Sequence, residues 1–110
     1  MHKIKTAVIY TTCPSLEIAE LIADEVIKRG FGACVNIIPH VISIYNWDSK
    51  IQRDHEVVAL IKTESKMTDE VISAVKELHP YDMPAIITIP IEGGCETFLR
   101  WITTQTGAFL

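Results

Sequence analysis

The hydrophobic and polar positions of the chain change period from one stretch to the next, and each change marks an element. Between Lys3 and Thr12, alternation at Ile4 and Thr6 gives way to the apolar run Ala7-Val8-Ile9-Tyr10, which predicts a strand buried on at least one face. Leu16, Ala19, Ile22, Ala23, Val26 and Ile27 then recur at three- and four-residue spacing, the repeat of a helix with one apolar stripe. Pro14 at an initial position, a hydroxyl cap beside it and Glu17 in the first turn mark where that helix starts. Lys28-Arg29 and Gly30 mark its end, since cations suit the helix C-terminus and glycine accepts a left-handed cap.

From Ala33 to Ile44 the residues are rich in Val and Ile, interrupted only by Pro39-His40, so the pattern predicts one long strand with a bulge there. It continues through Tyr45-Asn46-Trp47 to a turn at Asp48-Ser49-Lys50, and a second long strand runs from Ile51 to Thr63. Thr68-Asp69-Glu70 opens a second helix whose stripe is Val71, Ala74, Val75 and Leu78, and His79-Pro80 stops it. Ala85 to Ile91 predicts another buried strand, and Phe98, Trp101 and Ile102 a short terminal helix.

The resulting order is β-α-β-β-α-β plus a C-terminal helix. This is the split pattern of ferredoxin-like α+β sandwiches, here a single domain over residues 1–110 with an extended hairpin between the second and third strands. Two helices cover one face of such a sheet. The other face, and the edges of a ribbon longer than the domain needs, invite pairing with another chain.

Composition narrows the function. With 110 residues, 48% apolar and 22% charged, the chain is long enough to bury a core without disulfides. Its net charge is −4 and its ten Lys and Arg residues are scattered, so neither nucleic acid nor an anionic membrane is an expected partner. No apolar stretch has the form of a signal peptide or a spanning helix, and the chain reads as a soluble cytoplasmic protein. Cys13, Cys34 and Cys95 are odd in number and contain no C-x-x-C pair, which argues against a disulfide framework and a zinc knuckle.

Four segments, Thr11-Thr12-Cys13-Pro14, Ala33-Cys34-Val35-Asn36-Ile37-Ile38-Pro39, Ser43-Ile44-Tyr45-Asn46-Trp47 and Leu78-His79-Pro80-Tyr81, resemble in order and spacing the successive motifs of the CutA family. Glu56, Lys62-Thr63 and the Phe98 to Trp101 segment also sit where that family places comparable residues. The resemblance implies a ferredoxin-like subunit in a compact homotrimer of PII-like architecture, with sheets packed inward and ribbons reaching onto neighbours. It further implies divalent-cation tolerance, a response to metal ions, copper binding and the anchoring of partners at membranes. Two positions depart from the family pattern: Ser49 stands where glycine is usual in the hairpin turn, and Ala85 where glutamate is usual near His79.

Each chemistry-bearing residue has two readings. Cys34, between Ala33 and Val35, is either a small buried hydrophobe or a soft ligand suited to copper near a subunit junction. Cys13 precedes a helix N-terminus, where the dipole lowers a thiol's pKa, or else is simply an entry residue beside Pro14. His79, held extended by Pro80, either ligates a metal or interacts with the terminal carbonyls of its helix. Asn36, Lys62, His79 and Tyr81 are expected to line a pocket at a subunit junction that takes a small anion or a metal. His2, His40 and His55 read as tail, loop and strand-surface residues, and Tyr45, Trp47 and Trp101 as packing residues, core in preference to interface. No phosphate loop, nucleophile elbow or paired-carboxylate motif supports an enzyme. The leading expectation is a trimeric metal-response protein with copper or another divalent cation at intersubunit sites, none being required for folding. The alternative is a PII-like signalling or scaffold module that binds a small anionic ligand or a protein partner without a physiological metal.

Overall fold

The structure is a computed structural model that describes residues 4–107. Lys3, placed in the first strand from sequence, and His2 lie outside the described residues. The elements follow in the expected order: β1 (Thr6–Cys13), α1 (Leu16–Lys28), β2 (Cys34–Trp47), β3 (Lys50–Glu64), a 3-10 turn (Ser65–Met67), α2 (Thr68–Leu78), β4 (Ile86–Ile91) and α3 (Glu96–Gln105). The four strands form one sheet in the order β2-β3-β1-β4, antiparallel at every pairing.

Helix α1 starts two residues later than Pro14 suggested. Ser15 is the N-cap, its hydroxyl accepting from the Ile18 amide at 3.2 Å, and Pro14 lies outside the helix. At the other end the Phe31 amide donates to Val26 and the Gly30 amide to Ile27, the paired bonds of a Schellman cap, with Gly30 at φ 74° where a side chain would be strained. The apolar stripes of α1 and α2 meet β1 and β3 in one core, where Ile9, Ile22, Val26, Ile61, Val71 and Val75 are fully buried.

The predicted break at Pro39-His40 is a bulge. Ile38 pairs with Val58 and Val41 with Glu56, so two residues of β2 oppose Val57 alone, and His40 takes φ 62°. The hairpin turn contains two residues, Asp48 and Ser49, both with positive φ, as a tight hairpin requires. The missing glycine is thus replaced by an aspartate and a serine held in the left-handed region.

Only Val57 to Glu64 of β3 pair with β1. The remainder of β3 and its partner stretch of β2 overhang the sheet by about 23 Å, at roughly 3.3 Å per residue, and the described residues span 51 Å by 25 by 21 Å. Edge strand β4 is not the buried strand that the sequence predicted. Ile86 packs on the core, while Ile87 and Ile89 are 53% and 46% exposed on the face that carries no helix. Tyr45, Trp47 and Trp101, expected in the core, are also exposed in the single chain, Trp47 by 59%. In α3 the buried anchor is Ile102, and Phe98 stacks on Trp101 at the surface.

Candidate functional site

Strand alternation sorts the candidate residues. Val35 and Ile37 pack on the helix-side core, so Cys34, Asn36 and Ile38 point to the open face. Lys62 pairs with Cys34 and Leu60 with Asn36 across β3. Cys34 and Lys62 are half-buried and Asn36 is exposed, forming a polar corner on an otherwise apolar face.

Cys13 belongs to a different environment. It is the last residue of β1, its side chain lies in the helix-side core, and it is fully buried. The expectation of a thiol activated by a helix dipole is corrected: burial, and then the negative charge of Glu56, push the thiol up to about 11. Sequence adjacency to a helix start did not place the sulfur at the helix terminus, because strand parity turned it inward.

The raised value has a sign for stability. The unfolded thiol ionises near its ordinary value of 9.0, and burial pushes the folded one up to about 11. The unfolded state therefore loses its proton first, and folding stability is expected to fall between pH 9 and 11 by an amount that a Cys13→Ser variant does not show. By contrast, Cys95 is exposed, and the Thr97 hydroxyl 3.1 Å from its sulfur lowers its pKa. At neutral pH an alkylating reagent should modify Cys95 and spare Cys13. Equal rates at the two would show that the β1 end opens freely.

His79 is the C-cap of α2, extended as Pro80 requires. Its ring is buried and bridges two segments. Nε2 lies 2.7 Å from the carbonyl of Thr12, and Nδ1 accepts from the Tyr81 amide at 3.2 Å. An amide can only donate and a carbonyl can only accept, so the ring is the neutral tautomer with its proton on Nε2. Both nitrogens are occupied, which leaves no lone pair for a metal. Nor does the ring meet the terminal carbonyls of its own helix; it ties the α2 end to the β1 end. Tyr81 tilts over it, with ring centroids 4.8 Å apart.

Above this tie opens a cleft of about 900 Å³ between the ribbon, the end of β1 and the α2–β4 connection. Tyr10, Tyr45, Trp47, Glu56 and Tyr81 line it, together with Ala85, the residue that departs from the family pattern. Burial, then Glu56 and Asp54, raise the Tyr81 phenol, while the Tyr45 hydroxyl donates to Asp54 and is pushed up to about 12 chiefly by that bond. Of the residues expected from sequence to bind a metal or line the ligand pocket, only Tyr81 lines this cleft. Lys62 lies six residues along β3 from Glu56, about 20 Å at strand rise, so one chain does not gather Asn36, Lys62, His79 and Tyr81 into a shared pocket.

Glu56 and Tyr45 are the residues that sequence reasoning undervalued. Their signal was present in the alternation Gln52, Asp54, Glu56, which puts polar groups on one ribbon face just before an apolar run. Among the described residues no three His, Cys, Asp or Glu side chains form a group able to hold a metal ion. Cys13, Cys34 and His79 therefore do not constitute a metal site within one chain.

A four-stranded antiparallel sheet with two helices on one face and an overhanging ribbon defines a ferredoxin-like α+β protein. The chain belongs to the CutA1 divalent ion tolerance protein family, whose family model matches residues 7–105. Protein CutA of Mus musculus is 39% identical over 97 residues, which are 88% of this chain and 55% of that protein, so the chain spans about half the length of that relative. The crystal structure of CutA1 from Oryza sativa superposes with a TM-score of 0.92 at 36% identity, covering 96% of each chain. The periplasmic divalent cation tolerance protein CutA from Archaeoglobus fulgidus does so with a TM-score of 0.88 at 42% identity, over 91% of this chain and 97% of that one. No helix among the described residues is long and apolar enough to cross a membrane.

Proposed function

We propose that the chain acts as a homotrimer in the response to divalent metal ions, binding copper or another divalent cation at sites that neighbouring subunits complete, and that it works by binding rather than by turnover. The observation that carries this reading is the open sheet face. Ile38, Ile87 and Ile89 stand about half exposed on it, and the overhanging ribbon leaves strand edges unpaired. Both features call for other copies of the chain.

Cys34 lies on that same face. Threefold packing of open faces supplies three copies of its sulfur, a soft donor set of the kind that Cu(I) prefers. His79 then supports the subunit and does not ligate. Three free thiols suit a reducing compartment, and we place the protein in the cytoplasm on that ground. A small anion is the weaker ligand class for the cleft, which has no Lys or Arg in its lining.

Native mass spectrometry of reduced protein, with one equivalent of Cu(I), Cu(II) or Zn(II) per chain, tests the proposal. The expected result is a trimer that takes up metal, loses that capacity in Cys34→Ala, keeps it in His79→Gln and stays trimeric after chelation. Bare trimers would remove the metal reading, and a monomer would remove the assembly.

A further inference from the structure

We propose that the outward face of α1 and α2 is a docking surface for a basic, lysine-bearing segment of a partner protein, anchored in the groove between the two helices. Neighbouring copies pack on the open sheet face in the assembly proposed above, so the helices form its outside. The same face is open in a single chain, and it holds none of the residues given to the metal site.

Helices α1 and α2 press Ala19, Ile22, Val26, Val71 and Val75 onto the core and turn their opposite stripes to solvent. Four carboxylates lie on α1 between Glu17 and Glu25, Asp69, Glu70 and Glu77 lie on α2, and only Lys28, Arg29 and Lys76 oppose them. None of these side chains is buried. Their excess of negative charge equals the whole chain's −4, so the remaining charges cancel and the net field originates on this layer. Leu21, 44% exposed, adds an apolar contact point.

Where the C-terminal end of α1 meets α2, a groove of about 230 Å³ opens, with Phe31 and Ala74 as apolar walls and Asp69, Glu70 and Glu77 as acids. Arg29, the cation in its lining, is already engaged: Nε donates to Glu25 and Nη1 to Glu77, each at 3.1 Å. Asp69 and Glu70 have no ion-pair partner among the described residues. Glu70 Oε2 is withdrawn from solvent and lacks a hydrogen-bond donor among them, a cost that the α2 dipole eases without supplying the bond. A lysine meets both needs, its stem against Phe31 and Ala74 and its ammonium among the carboxylates. Nucleic acids and anionic lipids carry the wrong sign for this layer, and a bare divalent ion finds no group of three ligands among the described residues.

Fluorescence anisotropy with labelled hexalysine, and with labelled hexaglutamate as its opposite, tests the surface on assembled protein at low ionic strength. Hexalysine should bind and hexaglutamate should not. The double variant Asp69→Asn/Glu70→Gln should weaken hexalysine about fivefold or more. Asp48→Asn/Glu92→Gln, which removes the same charge from the ribbon tip and the loop after β4, should change it less than about twofold. In amide NMR spectra hexalysine should shift signals of α1 and α2. Equal weakening by the two double variants, shifts confined to the ribbon or β4, or no binding at about 1 mM, where even a weak site fills, would each overturn the proposal. Native mass spectrometry reports assembly separately, so a trimer that fails to bind counts against the docking surface and not against the trimer.

Discussion

His79→Ala is expected to cost the folded protein about 2–4 kcal/mol, because it removes two buried hydrogen bonds and leaves a cavity. The Thr12 carbonyl and the Tyr81 amide each lose a partner at the point where α2 is fastened to β1. Urea denaturation should show a lower midpoint at an unchanged slope. His79→Gln, whose amide can both donate and accept, should recover part of the loss. The decisive comparison is metal-free against metal-loaded protein: a structural tie costs the same in both, whereas a ligand would cost stability only in the loaded form. A loss confined to the loaded form would reverse the assignment made from the ring's two occupied nitrogens.

Ile61→Ala should be costlier still, about 3–5 kcal/mol, the upper part of the range for truncating a buried aliphatic side chain. Ile61 has no exposed surface, pairs with Ile9 on one side and Val35 on the other, and packs beneath the loop after α1. Its Cγ2 lies 3.0 Å from where a side-chain carbon on Gly32 would be, so the backbone of that loop rests almost directly on it. A loop that close can settle only slightly into the space left behind, which places the cost high in the range. Ile61→Val, with one methylene fewer, should cost about 1 kcal/mol. Near-equal midpoints for the alanine and wild-type proteins would mean that the loop collapses freely.

The fold was legible in the sequence because each element carries its own period. The stripe of α1, the stripe of α2 and the β-branched run after Ala33 are local signals, and the bulge was announced by a proline that a ladder interior cannot hold. Exposure was less legible. Tyr45, Trp47 and Trp101 are large enough to read as core, yet the ribbon carries the first two beyond the body of the chain. Alternation puts Asn36 on the same strand face as Cys34 and Ile38 but carries no distance, so it did not show that the Lys62 end of β3 lies far from the Glu56 end. The role of His79 could not be read from Leu78-His79-Pro80. Its partner Thr12 is 67 residues away in the chain, and only the packing of α2 on β1 brings the two together.

The bulge has a consequence for whatever lies alongside β2. As an edge strand, β2 offers its outer row of donors and acceptors to solvent, but Pro39 has no amide and His40 turns the backbone out of the pleat. The outer edge is therefore divided into two short runs, Cys34 to Ile38 and Val41 to Trp47, separated by a fixed interval. A strand that slid along this edge by one step would lose bonds in both runs at once. For any strand laid along this edge, Pro39 and His40 would act as a ruler mark, penalising every alignment that does not straddle the bulge.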